Sequence, residues 1–148
     1  MSKLSIYFCG SIRGGRNDAA IYHEIITHLK SFGKVFTEHV GSDKFNEEGI
    51  QIDDAKLTDK QIHDRDMSWL QSSDVVVAEV TTPSLGVGYE LGRAIEMKKK
   101  VICLFRPSSG KRLSAMIEGA KCENLFQVHH YTEVKNACQL LTGILGNK

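Results

Sequence analysis

The stretch DVVVAEVTTPSLGVGYELGRAIEMKKKVICLFR (74–106) decides how this chain folds. Two nearly continuous apolar, β-branched runs, VVVAEV and VICLF, flank an amphipathic segment of helical period at 87–98. Strands that are apolar on both faces belong at the centre of a parallel sheet, and parallel strands need a long right-handed crossover between them. The same rhythm recurs outward in both directions. LSIYFCG (4–10), KVFTEHV (34–40) and LFQVHHY (125–131) read as further strands, and helical patterns fall at 17–31, 57–72, 111–120 and 132–145. Gly33 stands where a left-handed C-terminal cap of the first helix is expected. No repeat or low-complexity linker interrupts the series.

The expectation is therefore one α/β domain over residues 1–148, doubly wound and Rossmann-like in the flavodoxin manner. It has a five-stranded parallel sheet of order 2-1-3-4-5 with helices on both faces. A length of 148 residues suits one compact domain and leaves no room for a second catalytic one. The balance of 19 Lys+Arg against 18 Asp+Glu, a formal +1, lacks the basic excess of a protein that grips nucleic-acid polymers. A single nucleotide stays compatible with it. With 41% hydrophobic and 25% charged residues the composition is that of a globular domain, and no apolar run approaches the length of a membrane span. The chain passes from Met1-Ser2-Lys3 straight into a β-like run without the apolar core of a secretory signal. An intracellular, cytoplasmic protein is expected, with the nucleus left open because Lys98-Lys99-Lys100 reads as a solvated helix end. Cys9, Cys103, Cys122 and Cys138 form no CxxC pair and no zinc-like spacing, so they read as free thiols.

In a 2-1-3-4-5 sheet, ligands bind beyond the carboxyl ends of strands 1 and 3, where the order reverses. Two glycine-rich turns fall there. GSIRGGR (10–16) offers the Ser11 hydroxyl and the planar forks of Arg13 and Arg16 ahead of a helix start, a good setting for a phosphate or carboxylate. It matches neither GxxxxGK[ST] nor GxGxxG, so alone it is equally an ordinary turn with solvated arginines. In TTPSLGVGYE (81–90), Ser84, Gly86 and Gly88 precede a helix whose backbone N–H groups could face an anion. The GVG there departs from the dinucleotide fingerprint, because Gly92 comes one place late. The polar stretch 41–56 reads as a loop beside the same edge, and His39 at the end of strand 2 could face the pocket or solvent.

Two carboxylates sit where helical geometry turns them inward. Leu91, Ala94, Ile95 and Met97 define the apolar sector of the helix after strand 3, and Glu90 lies within its edge, in what reads as the first turn. On the preceding helix Ile62, Met67, Trp69 and Leu70 form the apolar stripe, with Asp66 at its centre; Asp64, Arg65, Ser68, Gln71 and Ser72 form the polar face. A buried lone carboxylate is costly, so Asp66 should meet a partner or a substrate, with its pKa perturbed. Such a pair near one cleft is suited to the acid and nucleophile of glycosidic-bond hydrolysis, although a capping role for Glu90 stays open. Tyr7 is either a core aromatic or the hydrogen-bond donor of a carboxylate at the strand end, and His63 reads as a satisfied structural histidine. RPSSGKRLSAM (106–116) carries serines and Met116 toward the same cleft.

YFCGSIRGGR (7–16), DMSWLQSSDVVVAEVTTPSLGVGYELGRA (66–94) and CLFRPSSGKRLSAMIEGA (103–120) together closely resemble the 2'-deoxynucleoside 5'-phosphate N-hydrolases of the nucleoside 2-deoxyribosyltransferase superfamily, over roughly residues 5–131. The resemblance implies cleavage of a deoxyribonucleoside monophosphate to free base and 2-deoxyribose 5-phosphate through a covalent glutamyl-deoxyribosyl intermediate, with no cofactor and no metal. It implies that Glu90 is the nucleophile, that Asp66 contacts the base and donates its proton, and that Tyr7 orients Glu90. It assigns the 5-phosphate to Ser11, Arg13 and Ser84, with Gly10, Ile12, Gly14, Gly15, Arg16, Gly86 and Gly88 shaping the loops. It further implies a homodimer in which Ser114 reaches the neighbouring subunit's site with Met116 nearby, and neither a nucleic-acid polymer nor a membrane as partner. A deoxyribosyltransferase or a non-enzymatic nucleotide-binding module on the same fold are the alternatives, and base preference is not legible.

Overall fold

The computed structural model describes residues 3–11, 18–37 and 56–146. Five parallel strands, β1 (Leu4–Cys9), β2 (Gly33–Val35), β3 (Val75–Glu79), β4 (Lys100–Phe105) and β5 (Phe126–His130), form one sheet of order β2-β1-β3-β4-β5. Helices α1 (Ala19–Leu29), α2 (Asp59–Ser72), α3 (Leu85–Glu96), α4 (Ala115–Glu118) and α5 (Val134–Leu145) provide the crossovers and the C-terminal cover. The expected doubly wound order is thus the observed one. Burial on both faces explains it: every residue of β3 is buried, as a central strand requires.

Strand periodicity sorts the side chains into two cores. Ile6, Phe8, Val75, Val77, Ile102 and Leu104 point to one face and pack with Tyr22, Ile25 and Leu29 of α1 and Leu141 and Leu145 of α5. Tyr7, Cys9, Val76, Ala78, Val101 and Cys103 point to the other, against Met67 and Leu70 of α2 and Val87, Leu91 and Ala94 of α3. Cys9 and Cys103 lie either side of Ala78 in register, so two thiols flank one methyl across three adjacent strands. The face to which Tyr7 points is therefore the one that carries both candidate carboxylates.

Several boundaries differ from the sequence-based expectations, each for a physical reason. Gly33 is not a left-handed cap. Helix α1 closes at Lys30 in right-handed conformation, and Gly33 opens β2, where an added Cβ would come within 1.8 Å of the Leu4 carbonyl oxygen. The second strand is confined to Gly33–Val35, and the remainder of the expected run, from residue 38 on, lies outside the described residues. The helix expected over 111–120 is only the single turn α4, preceded by a 3-10 turn at Pro107–Ser109 that ends in a left-handed Gly110. Ser114 sets where α4 starts, its hydroxyl accepting from Met116 N, so residues 111–113 stay outside the helix. Leu91 and Ala94 are buried as expected, but Ile95 is exposed and Val87 is buried in addition. Among the described residues no helix is long and apolar enough to cross a membrane.

Candidate active site

A cleft of about 1010 Å³ opens over the carboxyl ends of β1 and β3, at the reversal of strand order. The N-terminal half of α3, the outer end of α2 and the segment 112–117 form its walls, and its lining includes Asp66, Ser84, Gly86, Gly88, Glu90 and Ser114. Helix α2 is started by a complete capping box, in which the Thr58 hydroxyl accepts from Gln61 N while the Gln61 side chain accepts from Thr58 N. Ser84 caps α3 in the same sense, its Oγ accepting from Val87 N at 3.2 Å. That bond uses a lone pair and leaves the serine proton free to donate into the cleft.

Glu90 sits in the second turn of α3 rather than the first, because the helix begins at Leu85. The helix end consequently does little to stabilise its charge. Burial instead pushes its pKa up to about 7, with the charge of Asp66 adding to the rise, against hydrogen bonds from Tyr7 and Cys9. Tyr7 resolves its two expectations together: it is fully buried in the core, and its hydroxyl donates to Glu90 Oε2. Burial and the neighbouring Glu90 raise the pKa of Tyr7, so it stays a neutral donor. The Tyr7 bond thus fixes Oε2 of Glu90.

Asp66 finds the partner its position demanded, in an unexpected place. Arg65, assigned to the solvent face of α2, folds back to bring its Nε within 3.0 Å of Asp66 Oδ1, with its guanidinium 4.6 Å from the centre of the Trp69 ring. Consecutive helix positions do not ordinarily face each other, which is why spacing alone gave no sign of this pair. His63 is satisfied as expected but lies on the cleft wall rather than in the core. Its Nδ1 is 2.9 Å from Asp64 Oδ1 and its Nε2 is 2.8 Å from the Tyr89 hydroxyl, which also accepts from Arg93 at 2.6 Å.

Of the expected phosphate-side residues, Gly10, Ser84, Gly86 and Gly88 line the cleft, as do Ser114 and Met116. Gly10 has a steric reason as well, because a Cβ there would stand 2.9 Å from the Tyr22 ring. Ser11 is buried at the end of β1, its N–H donating to the Tyr22 hydroxyl at 3.1 Å. Ile12, Arg13, Gly14, Gly15, Arg16, His39 and the stretch 41–55 lie outside the described residues. Ser114 borders this chain's own cleft, where its hydroxyl accepts from Met116 N as the cap of α4. Arg112 and Tyr89 also line the cleft and were not singled out from the sequence. Among the described residues no group of three His, Cys, Asp or Glu side chains could hold a metal ion.

A carboxyl gripped on one oxygen, with a second carboxylate close by and an anion-ready helix start on the same cleft, suits attack at the anomeric carbon of a sugar. Residues 6–137 match the nucleoside 2-deoxyribosyltransferase family, and the chain belongs to it. Its relatives include a 5-hydroxymethyl-dUMP N-hydrolase of Tetraodon nigroviridis, 59% identical over 130 residues that cover 88% of this chain and 89% of the relative. The Homo sapiens 5-hydroxymethyl-dUMP N-hydrolase is 54% identical over 129 residues, 87% of this chain and 72% of that one. Among solved structures the Clostridium botulinum CMP N-glycosidase BcmB superposes with a TM-score of 0.62 at 22% identity, covering 95% of this chain and 99% of the other, a likeness of fold.

Proposed function

We propose that this chain hydrolyses the N-glycosidic bond of 2'-deoxynucleoside 5'-monophosphates, releasing the base and 2-deoxyribose 5-phosphate. The observation that carries the reading is the Tyr7–Glu90 pair set into the switch-point cleft, in a chain 54–59% identical to named N-hydrolases. Glu90 Oε1 attacks the anomeric carbon as the carbon–nitrogen bond breaks, and the departing base takes a proton from Asp66. Water then opens the glutamyl ester, with Asp66 receiving the proton of that water. Arg65 pairs with Asp66, whereas burial favours the neutral form of Glu90. The attack needs Glu90 ionised and the proton on Asp66. Tyr7 holds Glu90 Oε2 throughout.

The 5-phosphate lies against Ser84 and the start of α3, with Ser11, Arg13 and Arg16 contributing. Phosphate held there places the anomeric carbon by remote binding energy. The protein acts as a homodimer in which Ser114 and Met116 complete the neighbouring site. This accords with a cleft rim on which Leu85 is 96% and Met116 81% exposed, since such apolar side chains gain from a covering surface.

A base-release screen over deoxy- and ribonucleoside monophosphates, beginning with the 5-hydroxymethyl pyrimidine carried by the relatives' substrate, tests the reading. Glu90→Ala is expected to lower the rate at least a hundredfold, on the order of 3 kcal/mol of transition-state stabilisation. Adding a second free base separates hydrolysis from transfer: transfer products in excess of free sugar phosphate would overturn the hydrolase. Sedimentation of the purified protein reads the dimer.

A further inference from the structure

A second polar cluster lies at the same end of the sheet but on its other face, and the chemistry above does not use it. Glu79, the last residue of β3, is fully buried inside an otherwise apolar strand. Its Oε1 accepts from Thr81 N at 2.8 Å, and its Oε2 accepts from Thr81 Oγ1 at 2.9 Å and from the Tyr131 hydroxyl. Arg106, just past β4, reaches between them. Its guanidinium donates to Asp18 Oδ1 at 2.9 Å and to the Tyr131 hydroxyl at 3.2 Å, and it stands 3.8 Å from Glu79 Oε2. Arg106 N also donates to Thr81 Oγ1 at 2.9 Å. Asp18 accepts at Oδ2 from the Thr82 hydroxyl at 3.3 Å, and Lys111 Nζ donates to that hydroxyl at 3.4 Å.

One guanidinium thus ties together the residue that precedes α1, the exit of β3, the exit of β4 and the exit of β5. Of this set only Thr82 lines the cleft, and it is followed directly by the cleft-lining Pro83 and Ser84. Buried ion pairs add little stability compared with apolar side chains of the same volume, whereas a planar five-donor fork fixes its partners in direction as well as distance. Such a cluster, placed where the exits of three strands meet and joined to the cleft through Thr82, fixes geometry more than it adds stability.

We propose that Arg106 is a positioning residue: through Asp18, Thr81 and Thr82 it sets the Thr82–Ser84 rim so that Ser84 and the α3 start meet the substrate's phosphate. This rests on the hydrolase reading above. The test compares Arg106→Met, Arg106→Lys and Asp18→Asn with the unsubstituted protein, well below their unfolding temperatures. It measures kcat and KM for a deoxynucleoside monophosphate and the inhibition constant of inorganic phosphate. Arg106→Met is expected to raise both KM and the phosphate inhibition constant about tenfold while kcat stays within about threefold. Asp18→Asn should give the same pattern, Arg106→Lys a smaller shift because an ammonium cannot span Asp18 and Tyr131 together, and a variant combining Arg106→Met with Asp18→Asn a sub-additive one.

A folded Arg106→Met protein with unchanged KM and unchanged phosphate inhibition would overturn the proposal, as would a fall confined to kcat. Failure of the hydrolase reading looks different, because the unsubstituted protein would then release no base. Phosphate binding read by thermal shift would still report on the cluster in that case: loss of the shift in Arg106→Met supports the positioning role, and its retention refutes it.

Discussion

Two tyrosine–glutamate pairs stand on opposite faces of one sheet edge. Tyr7 donates to Glu90 on the α2/α3 face, and Tyr131 donates to Glu79 on the α1/α5 face. Both carboxyls are pushed above the ordinary range by burial. They differ in what balances them. Glu79 is surrounded by two donors from Thr81 and has the Arg106 guanidinium 3.8 Å away, so its oxygens are used up. Among the described residues no cation pairs with Glu90, which lines the cleft, accepts from Tyr7 and has Asp66 as its charged neighbour. The saturated pair shapes the fold, and the unsaturated one is left with reactivity to spend.

Removing the two phenols one at a time breaks this comparison most sharply. Tyr7→Phe should lower kcat by about tenfold to a hundredfold, because Glu90 loses the contact that fixes its orientation. In the mechanism proposed above, the single proton on the Glu90–Asp66 pair is expected to give a bell-shaped rate profile with its alkaline limb near pH 7. Loss of the Tyr7 hydrogen bond, which lowers the Glu90 pKa, should move that limb upward. Tyr131→Phe should leave the limb in place and cost roughly 1–3 kcal/mol of stability, a fall of about 5 °C in Tm, since it strips a donor from the buried Glu79. An unmoved limb in Tyr7→Phe, or a moved one in Tyr131→Phe, would erase the distinction.

A smaller effect concerns stability against pH. The pKa of Glu90 is raised on folding from 4.5 to about 7, so the stability linked to its proton is full below pH 4.5 and is lost as pH rises through about 7. Glu90→Gln keeps an acceptor for Tyr7 and carries no charge. Its Tm advantage over the unsubstituted protein should grow between pH 4.5 and 7 and level off above; an advantage independent of pH would refute the burial account.

The smallest expected effects come from α3 itself. An added Cβ at Gly88 or at Gly92 meets no atom within 4 Å, so alanine at either should raise stability by roughly 0.5–1 kcal/mol. Gly88 lines the cleft and Gly92 does not. A rise in KM is expected for Gly88→Ala alone, and equal kinetics in the two variants would show that no ligand passes Gly88.

The sheet order was legible because each strand run is apolar over several residues and parallel connections admit few topologies. Glu90 and Asp66 were legible as inward carboxylates from helical spacing. Arg65 was not, since its approach to Asp66 comes from the reach of a long side chain and its seat on Trp69, which no periodicity encodes. Gly33 was misassigned because glycine serves equally for a left-handed turn and for close approach to a carbonyl, and only packing against Leu4 decides between them. The amphipathic look of 111–120 yields only one turn, because the helix starts at the Ser114 cap. Glu79 did leave a signal, an acid inside an apolar central strand, but its partners Arg106, Tyr131 and Asp18 are distant in sequence.

The two thiols that flank Ala78 have a practical consequence for labelling. Burial pushes Cys103 up to about 12 and Cys9 well above the ordinary thiol range, so neither offers thiolate at neutral pH. Cys122 is exposed and Cys138 partly so. A maleimide dye or spin label added under mild conditions will therefore settle on Cys122 first, a residue that does not line the cleft.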